Sequence, residues 1–155
     1  MATSAGGRAH PGDGQRPLLT PAFVTLTVAE LAYFLAIGMM YSAVPLFAIG
    51  PIGADEVGSG IAVGAFFVTA LLLRPYAGRL SDRLGRRPLL LGGSLAFALI
   101  MLAHVLVTNL VMLVALRLAL GAREAFFFVA GIAALADLAP RGREGQALSF
   151  NSLAL

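Results

Sequence analysis

Cysteine is missing from all 155 residues, and so is lysine. Without cysteine there can be no disulfide framework, no thiol nucleophile and no thiolate metal site. Without lysine, the basic complement is arginine alone, 11 residues against 8 acids, for a net charge of +3. Charge of either sign is scarce, at 12% of the chain against about 25% in ordinary domains. The two histidines, His10 and His104, stand far apart and offer no metal-ligand spacing. No nucleophile triad, phosphate-cradling loop or metal cluster can be assembled from the sequence, so neither an enzyme nor a cofactor is expected. A basic balance can mark a nucleic-acid partner. Here the arginines cluster between apolar stretches, where membrane topology accounts for them, and no nucleic-acid partner is expected.

What remains is hydrocarbon. Apolar residues make up 59% of the chain, above the about 45–50% of globular proteins. Mean hydropathy is +0.88. A spanning helix needs roughly 20 mostly apolar residues, and four such runs are present, over about 22–49, 57–77, 89–107 and 110–138. The expected fold class is an all-α membrane protein with four transmembrane helices and the start of a fifth at 146–155. Residues 1–20, rich in Gly, Ala and Pro, read as a disordered cytoplasmic tail. The run after Pro21 is too long for a signal peptide. Ten residues of helix reach about 15 Å, half of a ~30 Å hydrocarbon core. The chain is therefore expected to be incomplete. The alternatives are a four-span scaffold that does not transport, or the remnant of a truncated gene.

Arginine counting orients the spans. The tail, residues 78–87 and residues 139–145 carry Arg8, Arg16, Arg79, Arg83, Arg86, Arg87, Arg141 and Arg143, while residues 50–56 and 108–109 carry no basic residue. Basic segments stay cytoplasmic. The N-terminus and the 78–87 segment are therefore expected inside a cell membrane, with the lipid bilayer as the first partner.

The run Gly78-Arg-Leu-Ser-Asp-Arg-Leu-Gly-Arg-Arg87 packs four arginines, one aspartate and two glycines into ten residues. Such a segment cannot sit in hydrocarbon and reads as a short loop. Gly78 permits a close helix approach, Asp82 suits the positive N-terminal end of a neighbouring helix, and Gly85 can turn the chain. The segment resembles the signature between the second and third helices of the major facilitator superfamily, G-x-L-x-D-R-x-G-R-R/K. Every fixed position is filled, by Gly78, Leu80, Asp82, Arg83, Gly85, Arg86 and Arg87. The resemblance implies a conformational latch in which the aspartate engages the loop arginine and faces a helix of the other half. That arginine, Arg86, would meet an acid at the inner end of span four, for which Asp137 is well placed.

Span four carries Arg117, Arg123 and Glu124. Ionisable groups inside a membrane are costly and usually face a bundle interior or a water-filled cavity. Helical spacing puts Arg117, Gly121 and Glu124 on one face, with Arg123 rotated about 100° from Glu124. Arg117-Leu-Ala-Leu-Gly121 is similar to a second pattern of the superfamily, R-x-x-x-G, linked there to proton coupling. In span one, Thr27, Glu30, Phe34, Ile37 and Tyr41 form a polar and aromatic stripe, with Glu30 near the membrane midplane. Glu30 suits either a proton carrier or an ion-pair partner of Arg117 or Arg123. Gly60-x-x-x-Gly64 in span two permits close helix packing.

The superfamily resemblance implies two six-helix bundles with alternating access around a midplane site, of which this chain would supply part of the N-terminal bundle. The remaining helices, an unidentified small-molecule substrate and a proton are the partners it implies, and Glu30, Tyr41, Arg117, Gly121, Arg123 and Glu124 the residues placed beside the cavity.

Overall fold

The computed structural model describes residues 19–139 and 142–154, so most of the 1–20 tail lies outside the described residues. The chain forms helices α1 (Pro21–Ile49), α2 (Glu56–Leu84), α3 (Arg86–Ala103), α4 (Leu110–Leu138) and α5 (Glu144–Ala154), with one turn of 3₁₀ helix, His104–Leu106, after α3. Four of these elements are long and apolar enough to cross a membrane. Helices of 29 residues, as in α1, α2 and α4, reach about 43 Å. They exceed a ~30 Å hydrocarbon core and so tilt or project beyond it.

Polar residues start the helices where the apolar runs begin. The Thr20 hydroxyl accepts from the Phe23 N–H at 3.2 Å, and Pro21 follows at the first helical position, where its missing donor costs nothing. The Asp55 carboxylate accepts from Gly58 N–H at 2.8 Å, and the Asn109 side chain from Met112 N–H at 2.9 Å. Each cap satisfies a donor that the helix itself leaves orphaned.

The segment 78–87 departs from the expected loop. Residues 78–84 continue α2, α3 begins at Arg86, and Gly85 alone lies outside a helix. Arg and Leu are strong helix formers, and a helix keeps its backbone paired while its charged side chains leave the apolar zone. Gly85 then reverses the chain at φ 84°, ψ 164°, a region that in effect only glycine occupies.

α4 is the central element. It buries eleven residues and packs against each of the other four helices, whereas α3 buries none and lies outermost. The tightest approach is between α2 and α4. Gly121 of α4 meets the backbone of Phe66 and the hydroxyl of Thr69, and a β-carbon there would collide with both. Across the same contact the Thr69 Oγ1 donates to the Leu118 carbonyl at 2.8 Å. Gly60 and Gly64 face open space instead. The close packing that this pair permits is not used among the described residues.

Candidate functional site

The middle of the bundle holds a charged cluster walled by aromatic rings. Glu124 is the central residue of α4, with fourteen helical residues on either side. It is buried, and the Tyr33 hydroxyl of α1 donates to its Oε2. Arg123 bends toward the same carboxylate, with Nη1 3.8 Å from Glu124 Oε2. Its Nε donates to the Gly93 carbonyl of α3 at 2.7 Å. The guanidinium also lies 4.3 Å from the ring centre of Tyr33, 4.3 Å from that of Phe127 and 5.0 Å from that of Phe97. The negative faces of these rings attract a guanidinium so placed. The 100° rotation that separates Arg123 from Glu124 on the helix is overcome by the length of the arginine side chain.

Arg117 belongs to a different cluster. It is fully buried, at 0% exposure. Its Nε donates to the Ala62 carbonyl of α2 at 3.3 Å, and its guanidinium sits 4.9 Å over the Phe66 ring. Its Nη1 and Nη2 have no hydrogen-bond partner among the described residues. Gly121, one turn further along α4, sits against the same stretch of α2. Tyr41 is exposed and stacks on Phe67 at 5.4 Å and 6°.

Glu30 pairs with neither arginine. Its Oε2 accepts from the Asn151 amide of α5 at 2.7 Å, and its Oε1 packs against Gly131 of α4. Both side chains are buried. Span one passes beside α5 at this depth, and the polar residue it meets there is an amide.

At the arginine-rich end, Arg86 of α3 and Asp137 of α4 form an ion pair at 2.8 Å. The two side chains are 36% and 56% exposed, so the pair contributes modestly by itself. Asp82 does not engage Arg86, as the resemblance implied. It is exposed on the last turn of α2, and the reversal at Gly85 turns Arg86 toward α4. Arg83 and Arg87 are exposed beside it, and Gly78 has open space around it.

Three partners escape sequence reasoning: Tyr33, Asn151 and Arg74. Tyr33 stands one turn from Glu30 and one position from the stripe, where it reads as a core aromatic. Asn151 is the buried polar residue of a short apolar stub. Arg74 lies inside an apolar run, which the rarity of membrane charges makes a signal. It is exposed on α2 with its guanidinium 4.8 Å over the Phe128 ring.

Long apolar helices around buried ionisable groups define a multi-pass membrane protein. The sequence profile of the Major Facilitator Superfamily matches residues 26–155, and the chain belongs to that family. It is 33% identical over 128 residues to an uncharacterized MFS-type transporter of Pseudomonas aeruginosa (strain LESB58), covering 77% of this chain and 32% of that one. It is 30% identical over 134 residues to multidrug resistance protein 2 of Bacillus subtilis (strain 168), covering 86% and 33%. With the multidrug transporter MdfA of Edwardsiella piscicida it shares 30% identity over 124 residues, covering 80% and 30%. The chain thus spans about a third of the length of the curated relatives it matches.

Proposed function

We propose that this chain forms the opening helices of a secondary transporter that moves a small solute by alternating access, coupled to protons, with its arginine-rich end in the cytoplasm. The observation that carries the reading is Glu124, buried at the centre of α4 between the Tyr33 hydroxyl and the Arg123 guanidinium. A membrane protein rarely keeps an ionisable group at such depth without using it. Glu30, held by Asn151, is a second carboxyl able to take and release a proton, and Tyr41 and Arg117 stand on the elements that border it. The relatives named as multidrug proteins point to drug-like organic solutes, so a fluorescent drug-like dye is the probe to use. In proteoliposomes of the whole protein, Glu124→Gln and Glu30→Gln are each expected to abolish the dependence of dye movement on a pH gradient. Unchanged pH dependence in both variants would leave these acids structural.

In this reading Gly78, Asp82, Arg83, Gly85, Arg86, Arg87 and Asp137 form a latch. The Arg86–Asp137 pair ties α3 to α4, and Asp82 stays exposed to meet a helix of the opposite half. Asp82→Asn in the whole protein is expected to impair transport strongly while membrane insertion, followed by fractionation, stays intact. Transport at the wild-type rate would remove the latch.

A further inference from the structure

A second feature of the bundle lies on its outer side, beside α3. Between α2, α3 and α4 runs an apolar trough of about 270 Å³, walled by Leu80, Pro88, Leu89, Gly92, Ala96 and Phe126, with Arg123 at its floor. Across Leu80 and Phe126 it adjoins a hollow of about 380 Å³ that adds Tyr76, Arg79 and Arg83. Arg79 and Arg83 are one helical turn apart and both exposed on α2. Tyr76, also exposed, lies one turn before Arg79.

We propose that this trough holds an acyl chain of an anionic phospholipid, with the headgroup phosphate seated against Arg79 and Arg83. Three observations converge on that occupant. Apart from Arg123 the trough is lined by apolar residues, and it opens beside α3, the outermost helix, which buries none of its residues. The hollow that adjoins it is lined by two arginines, whose guanidinium groups match phosphate oxygens in charge and in fork geometry. Basic pockets between transmembrane helices at the cytoplasmic side are where anionic headgroups bind, and an amphipathic tyrosine suits the level of the headgroups. A zwitterionic lipid offers the same chain and the same phosphate, but its choline cation opposes the two arginines.

The test is native mass spectrometry of the whole protein in detergent with equal amounts of phosphatidylglycerol and phosphatidylcholine of the same acyl composition. Preference for phosphatidylglycerol is expected to be roughly twenty-five-fold, since each surface arginine adds about a fivefold share. The double variant Arg79→Gln/Arg83→Gln is expected to bring the two lipids to parity without reducing phosphatidylcholine retention. Gly92→Phe is expected to lower the retention of phosphatidylglycerol severalfold. Gly92 lines the trough, and nothing lies within 4 Å of a β-carbon built there. Ala96→Leu gives the same direction of change should Gly92→Phe fail to fold. Leu95→Phe, on the exposed side of α3, is expected to change nothing. Equal retention of both lipids by the wild type, as when a protein segment covers the arginines, would overturn the proposal. So would wild-type retention in the folded, filled variants.

Discussion

Gly121→Leu is expected to leave no folded bundle: the variant should elute as aggregate in detergent and show no cooperative thermal transition by circular dichroism. A side chain at 121 would drive into the Phe66 carbonyl and the Thr69 hydroxyl, and the first of these is backbone that cannot rotate aside. Ordinary overpacking of a core costs about 1–3 kcal/mol. Separating α2 from α4 costs more, because it also breaks the Thr69 bond to the Leu118 carbonyl and opens the largest helix contact in the bundle. Gly64→Leu is the control. Its β-carbon has open space, so its melting temperature should match the wild type. A monodisperse Gly121→Leu protein that melts with the wild type would show that α2 and α4 do not pack as described.

Arg123→Met is expected to destabilise the protein by about 3–5 kcal/mol, the range for removing one member of a buried ion pair. Two losses combine. Glu124 would retain the Tyr33 hydroxyl but lose its neighbouring cation, and three aromatic rings would lose the guanidinium between them. Replacing both members, Arg123→Met/Glu124→Gln, should recover most of the stability, because neither charge is then stranded. The measurement is the melting temperature of each single variant and of the double in the same detergent. Additive losses in the double would mean that the two residues do not act as a pair.

The helices were legible because crossing a membrane imposes one demand, an apolar run of sufficient length, and the chain meets it four times. The bounds of α4 coincide with the apolar run from Leu110 to Leu138. The site was legible only in part. Arg117, Arg123 and Glu124 stand out because charge in an apolar run is conspicuous, but their partners do not. The partner of Glu124 is a tyrosine that reads as core, the partner of Glu30 is an amide on α5, and the anchors of the two arginines are backbone carbonyls of Ala62 and Gly93. Carbonyls carry no residue identity, so no sequence pattern announces them. Gly60 and Gly64 show the converse limit of spacing. Spacing says that two small residues share a face, but not whether another helix comes to it, and here the backbone contact is made through Gly121.

The junction at Gly85 carries a mechanical consequence. One residue with a fixed positive dihedral joins two long rods and leaves no slack between them. A tilt of the second rod would carry the start of the third along with it, whereas the half-exposed Arg86–Asp137 contact ties the fourth to that corner only loosely.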